Sequence, residues 1–206
     1  AKFAGTRCKV WIVGSSIIRR AEDYCTRSPI GQNLSLEHLN IDVTWSGSGG
    51  LKWEQLDQHI ASLLNRYNEI IPQVLIVHCG GNSIGIQSLK KLQIAMKSLL
   101  ASIHRKLPNT LLVWSNILPR KYWRYMISSE AAEKSRKRIN NSIGCFVVQK
   151  LNGALIRYPD IRIDQPKLFL DCVHLSDLGN SIFTTTIQTA LSKFLTSSQK
   201  VFPTLP

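Results

Sequence analysis

The sequence predicts a doubly wound α/β domain with a central sheet of five parallel strands, and three observations predict it. Five apolar segments have strand character: Lys9–Gly14, Ile41–Ser46, Val74–Gly80, Thr110–Asn116 and Ala154–Tyr158. The third and fourth, VLIVHCG and TLLVWSN, are continuous apolar runs, the pattern of parallel strands covered on both faces. Helix-like stretches alternate with the strands, which implies right-handed crossovers onto one sheet.

Each element has a local reason. The first strand breaks at Gly14 and two serines follow, with a helix beginning near Ile17. In Leu51–Tyr67, Leu51, Leu56, Ile60, Leu63 and Leu64 fall roughly on one helical face. Leu89–Leu107 repeats the pattern with Leu92, Met96, Leu99, Leu100 and Ile103. Ser128–Leu151 is polar at first and apolar later. Leu175–Leu195 opens with a cap, Ser176 followed by Asp177, and carries Ile182, Phe183, Ile187, Leu191 and Phe194. No repeat or linker divides the 206 residues, so one domain is expected over 1–206, with its core over about 9–195. The tail 197–206 is the segment expected to be disordered.

Composition narrows the function classes. No apolar stretch reaches the roughly 20 residues needed to cross a bilayer. AKFAGTR is not a signal sequence, so the chain reads as a domain excised from a longer protein. Five cysteines (Cys8, Cys25, Cys79, Cys145 and Cys172) show no CxxC and no regular spacing. They read as free thiols of an intracellular, cytoplasmic protein. Cys172 and His174 share a loop, but no second ligand pair stands at a finger-like spacing, so no metal is expected. No phosphate loop follows the first strand, so no organic cofactor is expected either. Lys plus Arg number 26 against 13 Asp plus Glu, a net charge of +13. Such a field favours polyanions, RNA or an anionic membrane among them, though a solvated basic surface accounts for it equally.

In a doubly wound sheet, functional groups gather at the carboxyl ends of the strands. Those ends here read GSS, GSGG, GGNS and SNILP. A nucleophilic serine needs a proton acceptor and oxyanion donors. Of the five histidines, His59 and His104 lie in helical patterns, His38 in a polar loop, and His78 in a buried strand as a core residue. His174 lies in FLDCVHLSDLGN, with Asp171 three residues upstream. One tight turn can bring that carboxylate to the imidazole, although an ordinary Asx turn into a helix has the same spacing. Glycines of Gly47–Ser48–Gly49–Gly50 and the amide of Asn82 are candidate donors, and both are also common turn residues.

The order G-x-S, glycine turn, G-x-N, D-x-x-H resembles the four blocks of the SGNH (GDSL-like) hydrolase superfamily over nearly the whole chain. The resemblance implies a three-layer α/β/α, flavodoxin-like fold and the hydrolysis of acyl esters, acetyl or lipid esters included. It implies Ser16 as nucleophile, His174 as general base and then general acid, and Asp171 as its orienting carboxylate. The oxyanion hole would comprise the N–H of Ser16, the N–H of Gly50 and the side chain of Asn82. Gly49 is the alternative to Gly50, because the register within GSGG is open. Two departures stand out. Ser15 occupies the family's usual Asp position in the first block, and Ser83 the Asp position in the third.

VWIVGSSI together with DCVHLSDLGN further resembles the esterase domain in the first open-reading-frame protein of vertebrate, especially fish, LINE-type retrotransposons. That setting implies neighbouring domains of a parent protein and contact with RNA or lipid. The segment after the fourth strand interleaves Arg120, Lys121, Trp123 and Arg124 with Tyr122 and Tyr125. It is suited to single-stranded nucleic acid, to an anionic bilayer, to lidding an acyl pocket, or to plain packing with solvated charges. Arg19 and Arg20 follow the nucleophile block and are candidate contacts to an anionic substrate. The alternative to an esterase is an inactive module of the same fold that binds RNA or anionic membranes.

Overall fold

A computed structural model describes residues 7–204. Six strands and five α-helices follow in the order β1 (Cys8–Gly14), α1 (Ser16–Arg27), β2 (Ile41–Gly47), α2 (Leu56–Arg66), β3 (Val74–His78), α3 (Leu89–Lys106), β4 (Leu111–Ser115), α4 (Ser129–Lys150), β5 (Ala154–Ile156), α5 (Asp177–Thr196) and β6 (Val201–Phe202). The sheet order is β2-β1-β3-β4-β5-β6, and every neighbouring pair is parallel.

Strand alternation divides the core in two. Val10, Ile12, Val74, Ile76, Val113, Ala154 and Ile156 pack with α1 and α5 on one face. Trp11, Val13, Leu75, Val77, Leu112, Trp114 and Leu155 pack with α2, α3 and α4 on the other. Burial on both faces explains why β3 and β4 read as unbroken apolar runs. The helices obey the same logic: Leu92, Met96, Leu100 and Ile103 form one buried stripe along α3.

The expected architecture is present with one correction, since the sheet has six strands and not five. Residues 201–202 of the expected disordered tail add a strand parallel to β5, tied by Leu155 N–H to Lys200 O at 2.8 Å and Arg157 N–H to Phe202 O at 2.7 Å. Residues 1–6 and 205–206 of the expected domain and tail lie outside the described residues. Boundaries shift where the backbone turns. The third strand ends at His78, because Gly80 takes φ 110° and leads into a short turn over Gly81–Ser83. The helix expected from Leu51 starts at Leu56, after a 3-10 turn over Trp53–Gln55.

The chain passes from β1 to β2 on one side and then back across to β3 on the other, so the winding reverses at β1. The crevice outside its carboxyl end is where ligands of such folds bind. Ser15 and Ser16 stand at that end.

Candidate active site

Two glycines shape the turn that carries Ser16. A Cβ on Gly14 would lie 2.2 Å from His78 O, and one on Gly47 would lie 2.1 Å from Arg19 N. Only glycine lets the start of α1 settle against the ends of β2 and β3. Ser15 caps α1 in extended conformation, buried and without a side-chain cap bond, and its carbonyl accepts from Ile18 N–H and Arg19 N–H. Ser16 is the first helical residue, so its N–H is a first-turn donor with no intrahelical acceptor, at the positive end of the helix dipole.

The loop from β5 to α5 brings the histidine. It is pinched by an antiparallel bridge between Phe169 and Leu175, with Leu170 N–H bonded to His174 O at 2.9 Å. Within the pinch, Asp171 Oδ1 accepts from Val173 N–H at 2.7 Å and from His174 N–H at 2.8 Å. Asp171 Oδ2 meets His174 Nδ1 at 2.8 Å, and His174 Nε2 meets Ser16 Oγ at 3.0 Å. Burial works to raise the pKa of Asp171, but its bonds to His174 and to Val173 N–H outweigh that and bring it down to about 2. The ionised carboxylate can only accept, so Nδ1 carries the proton and Nε2 is left to accept from the serine hydroxyl.

The loops after β2 and β3 complete the site. Ser48 N–H bonds Gly14 O at 2.9 Å, tying the GSGG turn to the end of β1. Gly49 and Gly50 are both exposed there, and Gly50 has φ 71°. Asn82 donates one N–H to Leu51 O at 3.0 Å, which joins the turn after β3 to the turn after β2. Ser83 is fully buried; its Oγ accepts Trp53 N–H at 2.8 Å and donates to Glu54 at 3.3 Å. The hydroxyl thus fastens the loop beneath Asn82.

The basic segment runs beside the histidine loop, because Lys121 N–H and Tyr122 N–H both bond Cys172 O, at 2.8 and 3.2 Å. Lys121 and Arg124 are exposed. Trp123 is buried at 3 % exposure, so its ring is not open to a stacking partner. Arg120 turns inwards: its guanidinium stacks 4.8 Å from the Trp123 ring centroid and donates from Nη1 to Asn82 Oδ1 at 3.2 Å. Arg19 is exposed, with its guanidinium beside Gly49, and Arg20 is half-buried. The link from Arg120 to Asn82 had no signal in the sequence, since cation spacing says nothing about which way a loop side chain turns.

His78 sits in the core, bonded through Nδ1 to Ser115 Oγ at 2.9 Å, and Ser115 Oγ in turn lies 2.6 Å from Tyr158 OH. Burial and the nearby Arg120 lower its pKa to about 3, so it is neutral. A groove of about 720 Å³ lies at the ends of β4 and β5, lined by Ile117, Arg136, Asn140, Tyr158 and Ile161, and none of Ser16, Asp171 and His174 lines it. All five cysteines are free thiols. Among the described residues, no cluster of three His, Cys, Asp or Glu could hold a metal, and no helix is long and apolar enough to cross a membrane.

The chain resembles known proteins in fold and not in sequence. No protein-family model and no curated protein matches it. Solved structures do. A GDSL-like lipase from Bacteroides thetaiotaomicron superposes with a TM-score of 0.68 at 13% identity, covering 91% of this chain and 89% of that one. An acetylxylan esterase from Geobacillus stearothermophilus gives 0.64 at 12%, covering 90% and 94%. A member of the lipolytic G-D-S-L family from Veillonella parvula gives 0.64 at 13%, covering 90% and 98%. The chain has the fold of GDSL-like hydrolases. At these identities the likeness is one of fold, and the chemistry rests on the residues themselves.

Proposed function

We propose that the protein is a serine esterase that acts on small acyl esters. The observation that carries this reading is the unbroken hydrogen-bonded line from Asp171 through His174 to Ser16. It lies at the carboxyl end of β1 in a fold shared with lipases and an acetylxylan esterase.

The chemistry is a double displacement. Ser16 Oγ attacks the ester carbonyl carbon while its proton passes to His174 Nε2. The carbonyl oxygen becomes an oxyanion, held by the N–H of Ser16, a glycine N–H of the GSGG turn and the free side-chain N–H of Asn82. Collapse breaks the bond to the leaving alkoxide, which takes the proton from Nε2 and departs as the alcohol. Water then attacks acyl-Ser16, gives its proton to Nε2, and a second collapse returns that proton to Ser16 Oγ and frees the acid. Asp171 holds the imidazole in the required tautomer and stabilises it when protonated.

The experiment is turnover of a short-chain p-nitrophenyl ester by wild type, Ser16→Ala and His174→Ala. Each variant is expected to lose roughly 10³-fold or more in kcat. Equal turnover by Ser16→Ala overturns the assignment.

The proposal extends to the setting: a cytoplasmic domain of a retrotransposon-encoded protein that touches RNA or anionic lipid. The net charge of +13 and the exposed Lys121 and Arg124 beside the histidine loop support the contact with RNA or anionic lipid. Binding to RNA or to anionic vesicles should fall steeply with added salt; binding indifferent to salt counts against it.

A further inference from the structure

Arg120 stands apart from the other cations of its segment. Lys121 and Arg124 face solvent, whereas Arg120 is half-buried and lies against the loop after β3. The fit there is close, since a Cβ on Gly81 would stand 2.3 Å from its Nη2. Among the described residues no carboxylate pairs with it, although the neighbouring Arg136 takes Glu133. Burial and Arg136 lower its pKa to about 10, so it is still a cation at neutral pH. A desolvated charge without a counter-ion is costly, and such charges gather where a site uses them.

The use is legible in the amide it touches. Asn82 has one oxygen and two N–H donors. Arg120 Nη1 occupies the oxygen, and Leu51 O occupies one donor. One N–H remains. Turning the amide over would set its NH₂ against the guanidinium and its oxygen against the Leu51 carbonyl, so both sides forbid the flip. Withdrawal of electron density through the oxygen also makes the remaining N–H a stronger donor.

On the esterase reading above, on which this rests, we infer that Arg120 is a positioning residue of the oxyanion hole. It clamps Asn82 so that one side-chain N–H stays free for the oxyanion, and it sets a fixed positive charge behind that donor. Because the oxyanion forms only as Ser16 attacks and is absent from the bound ester, the effect belongs to kcat and not to KM.

The test uses a neutral short-chain ester with wild type, Arg120→Ala, Arg120→Lys, Asn82→Ala and the Asn82→Ala/Arg120→Ala pair. Arg120→Ala should lower kcat by roughly 10- to 100-fold with KM little changed, somewhat less than loss of a direct oxyanion donor. Arg120→Lys, which keeps the charge and loses the planar fork, should fall between. Removing Arg120 from the Asn82→Ala protein should cost far less than removing it from wild type, because Arg120 acts mainly through that amide. Millimolar guanidinium should restore part of kcat to Arg120→Ala and none to Ser16→Ala. If Arg120→Ala does not fold, Arg120→Lys with and without Asn82→Ala carries the same comparison.

Unchanged kcat in Arg120→Ala, or losses that multiply in the pair, overturn the inference. So does a rise in KM confined to an ester bearing a carboxylate or phosphate, which would make Arg120 a substrate anchor. Turnover that survives Ser16→Ala overturns the esterase reading and this inference with it. Turnover lost in Ser16→Ala but intact in Arg120→Ala overturns this inference alone.

Discussion

Asp171 concentrates the chemistry in four residues of chain. One oxygen closes its own turn onto Val173 and His174, and the other holds the imidazole. The spacing D-x-x-H permitted this turn, and the structure brings Ser16 to the far nitrogen. What the spacing withheld was orientation, as Arg120 shows: its place in PRKYWRY suits a solvated surface as well as an inward fold. Asp171→Asn keeps the shape but leaves an amide that can donate where the carboxylate only accepts, and it should lower kcat by roughly 10³- to 10⁴-fold. The carboxylate pKa is held below its ordinary 3.8, at about 2. Its ionised form therefore favours the folded state fully above the ordinary value, and that contribution is lost as pH falls through about 2. Urea midpoints of wild type and Asp171→Asn should differ at pH 7 and converge towards pH 2; a gap that widens on acidification would show that the ionised carboxylate does not stabilise the fold.

At the scale of elements, the turn between β1 and α1 depends on a neighbour. Gly47, at the end of β2, lets Arg19 N approach so closely that no side chain fits. Gly50 is the opposite case, with open space around its Cβ position but φ 71°. Gly47→Ala should cost about 1–3 kcal/mol or more through displaced backbone and should impair turnover. Gly50→Ala should cost about 1–2 kcal/mol through conformation alone. Denaturant unfolding of both checks the ranking, and a milder Gly47→Ala would show that α1 can shift without harm. The continuous apolar runs of β3 and β4 made those strands legible, and so did the leucine stripe of α3. Strand β6 was not legible, because two residues carry no period and their pairing depends on the edge that β5 offers.

The whole molecule is a parallel sheet whose winding reverses at β1, so the loops after β1, β2, β3 and β5 meet over one crevice. That convergence turns four short, separated blocks of sequence into one site. It also explains why the fold is recognisable at 12–13% identity while no family model matches: the blocks are small, and the rest of the chain needs only to fill two cores. Ser15 and Ser83, which stand where the resembled family usually carries Asp, are both buried, and Ser83 ties the loop after β3 to Trp53 and Glu54. Neither stands in the line from Asp171 to Ser16. That line should make Ser16 a nucleophile, and a fluorophosphonate probe followed by peptide mass spectrometry reads this at the residue itself. One adduct is expected, on Ser16, and it should disappear in His174→Ala; an adduct on another residue, or an unlabelled Ser16 in the folded wild type, would show that the line does not activate Ser16.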